Sequence, residues 1–384
     1  SPMNAPIPRY LVCNGDATDL ATWSNIPYFT LQAGLAAGLL QGGLALHPTL
    51  LRRRRRLWNA SQLLRHGKAG GYQYSLDFNR RLLAQASQLD PGRPVALLSQ
   101  YPLLPAHPWP ASWRVDFWID ATSRQVFDDY GMGRRIAPAL QAEALERERR
   151  AYTAAGVVVC MCQWAADSVI HDYGIDPAKV HMIAGGGNLD ETVLVDLPSA
   201  PPPPPPSPDA PLRLGFLGKE WQRKGGPFLL ELAQLLRRRG LPTVIRAIGP
   251  DPADLPADAA LEPLGFIHKL HDTARFVAEV RSWHFGALFS AAEAAPRANL
   301  ECLRLGVPLI AHDVGGIGST LPDADCGRLF PPHPSPAEVA DWLQARLAPY
   351  DAYLNWRGAL ARRGQAFTWA AAMESLAPLL HTAP

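Results

Sequence analysis

Two α/β units, each built on a parallel sheet, are predicted for this chain by three observations. At 384 residues it is longer than one ordinary hydrophobic core supports. Short apolar runs of strand character alternate with helical stretches in both halves, the pattern of parallel βαβ units. Between the halves lies the proline-rich segment Pro198–Pro211, which cannot donate to a helix or sheet ladder and favours an extended, semi-rigid linker.

In the first half, Tyr10–Gly15 reads as a strand ending in a tight turn, and Ile26–Leu40 as the helix that follows. Further strands are expected at Arg93–Ser99, Arg114–Ile119, Gly156–Cys162 and Val180–Ala184. After the proline segment the alternation resumes: strand Leu212–Leu217, helix Gly226–Arg239, strand Thr243–Ile248, helix Thr273–Arg281, strand Gly286–Phe289, helix Asn299–Leu305 and strand Pro308–Ala311. The closing segment Phe367–Leu380 reads as an apolar-rich helix. In open sheets of this kind ligands bind beyond the carboxyl ends of the strands, which directs attention to the loops there.

Composition narrows the class of partner. A net charge of +2 makes no global demand for nucleic acid, so any basic surface must be local. The hydrophobic content of 47% supports folded domains, and no uncharged apolar run is long enough to be read as a transmembrane helix. No signal-peptide pattern is read, so Cys13, Cys160, Cys162, Cys302 and Cys326 are expected to be reduced thiols of a cytoplasmic protein. Cys160-Met-Cys162 falls in a strand, and neither a second cysteine pair nor a nearby histidine completes a zinc set. No metal site is expected.

The chemistry concentrates in two stretches of the second half. Lysine is scarce, only five against 32 arginines, yet two of the five stand at Lys219 and Lys224 in one loop, flanked by Gly218, Gly225 and Gly226. Ammonium groups suit phosphate oxygens, glycines let a backbone approach closely, and the helix that follows offers unpaired amides to an anion. A solvated turn is the alternative. Downstream, Glu293-Ala-Ala-Pro-Arg-Ala-Asn-Leu-Glu301 places two carboxylates at a strand-to-helix corner, and a carboxylate can accept from two vicinal sugar hydroxyls. A diphosphate site beside a sugar site is what a nucleotide-sugar requires.

With Leu305-Gly-Val-Pro-Leu-Ile-Ala and Val314-Gly-Gly316 following, this pairing resembles the E-x7-E motif and basic phosphate loop of the family 4 retaining glycosyltransferases. Thr22-Trp-Ser-Asn-Ile-Pro-Tyr28 and Asp120-Ala-Thr122 resemble the T-W-S-G-x-P-Y and D-A-T segments of one branch. The resemblance implies the GT-B architecture: an acceptor-side domain over 1–197, linker 198–211, a nucleotide-sugar domain over 212–365, and a helix over 366–384 that crosses back. It implies transfer of a hexosyl unit from a UDP- or GDP-linked donor to a glycan, lipid-linked or small-molecule acceptor, with no cofactor and no metal.

Roles follow residue by residue from the same resemblance. Glu293 would contact the transferred sugar, with Lys219 and Lys224 stabilising the departing diphosphate and Asp120 standing on the catalytic side. Donor binding would draw on Gly15, Asp16, Gly218, Gly265, Phe266, Ile267, Arg297, Ala298, Asn299 and Glu301, the last on the ribose. Trp23, Ser24, Tyr28 and Thr122 would face the acceptor. Two departures stand out. Ala-Ala-Pro replaces the glycine-containing corner after the first glutamate, and Asp120 and Thr122 stand where many branches carry a histidine. They leave open a non-catalytic nucleotide-sugar-binding or assembly protein. Asp323-Ala-Asp325 is assigned to a surface turn, and the aromatic residues Trp164 and Tyr173 to packing.

Arg52–Arg56, followed by Leu57, Trp58, Arg65, His66 and Lys68, forms a basic amphipathic element. Interleaved leucines make it a candidate for peripheral contact with an anionic membrane at its inner face, against the alternative of a solvated surface. No stacking or groove motif accompanies it, so nucleic acid is not expected.

Overall fold

A computed structural model of the chain describes residues 6–102 and 109–381. It divides into two compact units: residues up to Ala184 together with the segment from Ala372 onward, and Gly185–Ala371. Each unit is built on one six-stranded, all-parallel sheet.

The first unit runs β1 (Arg9–Val12), α1 (Ile26–Ala36), β2 (Gly42–Gly43), α2 (Arg52–His66), α3 (Leu76–Leu83), β3 (Val95–Ser99), β4 (Trp113–Ile119), α4 (Ser123–Asp128), α5 (Pro138–Ala154), β5 (Val158–Cys160), α6 (Gln163–His171) and β6 (Val180–Met182). Sheet order is β2-β1-β3-β4-β5-β6. The strands β3 to β5 are buried almost throughout, as expected for a sheet covered on both faces. Inside this core Glu148 is fully buried; Tyr152, Tyr173 and the Ser123 amide donate to it, and burial raises its pKa.

The second unit begins with α7 (Glu191–Leu194) and continues β7 (Leu212–Leu217), α8 (Gly226–Arg238), β8 (Thr243–Ile248), β9 (Leu261–Gly265), α9 (Thr273–Arg281), β10 (Phe285–Leu288), α10 (Arg297–Arg304), β11 (Leu309–His312), β12 (Gly327–Phe330), α11 (Pro336–Leu347) and α12 (Tyr350–Arg362). The last helix, α13 (Trp369–His381), starts in this unit, and its residues from Ala372 group with the first. Sheet order is β12-β11-β10-β7-β8-β9, so the chain leaves β7 in one direction and returns to its other side at β10.

Most expected elements stand within two residues of their sequence limits, and the differences have local causes. The helix expected to reach Leu40 ends at Ala36, because Gly38 takes a left-handed conformation (φ 70°). The β9 strand went unread because it contains Pro263, which a central strand would reject; β9 is an edge strand, where a missing N–H is tolerated. The proline segment is tied to the second unit. His284 Nε2 lies 2.9 Å from the Pro204 carbonyl, and the Tyr350 hydroxyl donates to that of Pro203.

Candidate active site

The return of the chain from β9 to β10 makes the β7/β10 boundary the switch point of the second sheet, the place beyond whose strand carboxyl ends ligands of open α/β sheets bind. Both chemistry-bearing stretches lie there: Gly218–Gly225 follows β7, and Glu293 stands between β10 and α10.

The two stretches are physically joined. The Ala291 amide donates to the Arg223 carbonyl at 2.8 Å, and Arg223 Nη1 donates to the Ala292 carbonyl at 2.6 Å. Gly225 precedes α8 at φ 79°, and a Cβ there would lie 2.2 Å from the Phe289 carbonyl oxygen. Only glycine allows that approach. Gly315 does the same on the other side of the corner, at φ 55° and with its Cβ position 2.2 Å from the Glu293 carbonyl oxygen.

Glu293, with a side chain 10% exposed, accepts on Oε1 from Lys224 Nζ at 2.8 Å and from Arg223 Nη1 at 3.3 Å. Glu301, one face further along α10, is fully buried, and Lys269 donates to its Oε1. Burial raises the Glu301 pKa although Lys269 sits beside it. Its Oε2 is buried with no hydrogen-bond partner among the described residues. Each glutamate thus carries one lysine.

Other residues read as donor-binding have distinct placements. Lys219 is exposed and lies over the ring of Phe266, 5.7 Å from its centroid. Phe266 is 64% exposed, beside the half-buried Gly265 and the buried Ile267, and Gly218 donates its amide to the Ile248 carbonyl. Arg297 is buried: its Nε donates to the Ala295 carbonyl, its Nη1 to that of Gly186, and its guanidinium stacks 5.3 Å from Trp369. Asn299 is buried and donates to the Thr320 hydroxyl, while Ala298 is half-buried. No side chain caps the N-terminus of α10, an end whose polarity favours an anion.

In the first unit, Gly15 and Asp16 follow β1, and Asp120 follows β4, all at the carboxyl edge of that sheet. Asp16 accepts from the Thr18 amide and hydroxyl. Asp120 is half-buried, and its carbonyl lies 3.4 Å from the Cys162 thiol. Thr122 is fully buried, caps α4 through a reciprocal pair with Gln125, and meets the Ser168 hydroxyl at 2.8 Å. Trp23, Ser24 and Asn25 take positive φ in succession (41°, 53° and 69°), a conformation that non-glycine residues adopt at a cost of about 1–3 kcal/mol each. Tyr28 is half-buried against Phe29.

Sequence reasoning missed the parts played by Arg223 and by Lys269. Both had a signal: Arg223 stands in the basic loop, and Lys269 is one of the five lysines. The turn containing Asp323 is a surface turn as read, with Asp323 held by Arg363 at 2.8 Å.

Two parallel six-stranded sheets flanked by helices, with a basic loop and two carboxylates at one switch point, define the GT-B glycosyltransferase fold. The chain aligns over 98% of its length with all of the Anabaena protein HepE in complex with UDP (TM-score 0.62, 12% identity). It aligns equally with sucrose-phosphate synthase of Thermosynechococcus elongatus (98% of this chain, 100% of that one, TM-score 0.60, 16% identity). Residues 211–348, within the second unit, match the family described as "Glycosyl transferases group 1". Over 223 residues, 51% of the chain, it is 29% identical to half of the D-inositol 3-phosphate glycosyltransferase of Jonesia denitrificans. The chain spans about half the length of the curated relatives it matches.

Proposed function

We propose that this protein is a retaining glycosyltransferase that moves a hexosyl unit from a UDP- or GDP-linked donor to a glycan, lipid-linked or small-molecule acceptor, without a bound metal. The observation that carries the reading is the pair of buried glutamates eight residues apart, each held by its own lysine at the switch point of the second sheet. The group 1 match, the UDP-bound HepE and the relatives named for glycosyl transfer to D-inositol 3-phosphate support the same class of reaction.

The residues divide the work by charge. The positive end of the α10 dipole and the ammonium groups of Lys219 and Lys224 oppose the negative charge that grows on the diphosphate as its bond to the sugar breaks. Glu301 Oε2, buried and unpartnered, has acceptor capacity for a ribose hydroxyl. Glu293 lies where the transferred sugar gains positive character. The bond from the anomeric carbon to the diphosphate oxygen breaks, a bond to the acceptor oxygen forms on the same face, and the acceptor proton passes to the departing diphosphate. In the first unit, the acceptor is assigned to the loop Trp23–Tyr28 and the segment Asp120–Thr122.

Incubation with a panel of UDP- and GDP-sugars and crude lipid or oligosaccharide acceptors tests this reading. Release of a nucleoside diphosphate from at least one donor is expected; absence of both turnover and nucleotide binding across the panel would remove it. A second reading, a nucleotide-sugar-binding or assembly protein, is favoured by the Ala-Ala-Pro corner, where Ala294 and Ala295 are buried. It predicts tight binding with no turnover on any acceptor.

A further inference from the structure

Helix α2 is a 15-residue helix on which no residue is buried. It continues directly from a short 3-10 turn at Pro48–Leu51. Its attachment is narrow: Trp58 packs on Tyr72 with ring centroids 5.5 Å apart, and Arg54 Nε donates to Asp77 at 2.8 Å. Asn59, Ser61 and Gln62 are half-buried, and the remaining side chains are exposed. Leu50, Leu57 and Leu64 are 73%, 75% and 89% exposed, and Leu63 is 53% exposed. Three of the ten large apolar side chains exposed among the described residues therefore fall on this helix, and a fourth, Leu50, on the turn that leads into it.

Their spacing is what gives the surface a direction. Residues seven apart in a helix lie within about 20° of one stripe, so Leu57 and Leu64 share an edge that Leu50 extends at its N-terminal end. Arg53 and Ala60 complete that edge at helical spacing, and Arg52, Arg55, Arg56 and Arg65 stand around it, all exposed. The helix carries no acidic residue, and none of Arg52, Arg53, Arg55 or Arg56 forms an ion pair among the described residues. Three aligned leucines in water form an apolar patch of the kind that marks an interaction surface, and the surrounding guanidinium groups give it a positive rim.

We propose that α2 is a docking helix for an anionic lipid bilayer, lying in the plane of the interface with Leu50, Leu57 and Leu64 at the acyl boundary and the arginines among the headgroup phosphates. A bilayer satisfies both features at once, since the long arginine stems can lie along apolar surface while their heads reach phosphate. Nucleic acid would pair the arginines and leave the leucines in water. A second copy of the helix would bring two unpaired arginine rows together. The inference is independent of the donor chemistry, and it places the first unit of the protein at a membrane surface.

Co-sedimentation with phosphatidylcholine vesicles, with and without phosphatidylglycerol, tests it. The full chain is expected to bind only the phosphatidylglycerol vesicles and to be released by salt. The variant R52Q/R53Q/R55Q/R56Q should lower the vesicle-bound fraction at least about tenfold, and so should the charge-conserving variant L57S/L64S. Thermal unfolding of both should match wild type, because no substituted side chain is buried. Equal binding to neutral vesicles, no binding to either vesicle, or wild-type binding by L57S/L64S would each overturn the proposal. Capture of nucleic acid or self-association instead would do the same. Donor turnover on a soluble acceptor should be unchanged in both variants, which separates failure here from failure of the transferase reading.

Discussion

Lys224 Nζ lies 2.8 Å from Glu293 Oε1 across sixty-nine residues of sequence, so the basic loop after β7 and the acidic corner before α10 meet as a single charge pair. Arg223 shares the same oxygen at 3.3 Å. The pair holds the lysine against the acidic corner.

That geometry predicts different failures for the two partners. Lys224→Ala should weaken nucleoside diphosphate binding by about ten- to hundredfold, the loss of one charge-assisted contact. Glu293→Gln should keep that affinity and lower kcat by a similar factor, since the sugar gains charge only as the bond breaks. Calorimetric titration with UDP and GDP alongside steady-state kinetics distinguishes them. Equal Kd and equal kcat in both variants would place the donor elsewhere.

Gly225→Ala should damage the site without touching a charge. The new methyl would sit 2.2 Å from the Phe289 carbonyl oxygen, at a φ of 79° that alanine resists. A loss of about 2–4 kcal/mol is expected from strain and displacement together. Chemical denaturation followed by circular dichroism should show the midpoint of the second unit's transition falling, with donor binding reduced below that transition.

Lys269 is predicted to matter most for stability. It is the one cation that donates to the fully buried Glu301 among the described residues, so Lys269→Ala removes the ion-pair partner of a buried carboxylate, at a cost of about 3–5 kcal/mol. The sign with pH follows from the direction of the shift. Burial raises the Glu301 pKa, so its contribution to stability is fullest in acid and is lost as pH rises through the raised value. The deficit of Lys269→Ala relative to wild type should therefore shrink toward acid and grow toward neutrality, while the same substitution made in a Glu301→Gln background should show a flat difference. A pH series of melting curves checks both.

The sheets were legible because β7 and β8 are largely apolar runs, each interrupted by one arginine and followed by a glycine, and their limits in the structure coincide with those read from sequence. The site was legible where residue types are rare or regularly spaced, as with the lysines and the two glutamates. What escaped depends on three-dimensional proximity. Nothing in the order of residues says that Arg297, a positive charge at a helix start, turns inward onto Trp369 and the Gly186 carbonyl. Nor does sequence show that Thr122, in a segment resembling a catalytic one, spends its hydroxyl on capping α4.

His284 yields the sharpest pH prediction. Its Nδ1 accepts from the Arg213 amide at 3.0 Å, which requires Nε2 to carry the proton that is donated to the Pro204 carbonyl at 2.9 Å. The ring is thus held neutral, and burial lowers its pKa from 6.5 to about 4. Protonation favours the unfolded chain, so the stabilising contribution is complete above the unfolded pKa and is lost as pH falls from about 6.5 toward 4. Between neutral pH and pH 5 the second unit should lose roughly 2 kcal/mol from this group alone. His284→Gln keeps an acceptor and a donor without a titrating proton and should flatten that part of the profile. An unchanged acid slope in His284→Gln would show that the proline segment is not held by a neutral histidine.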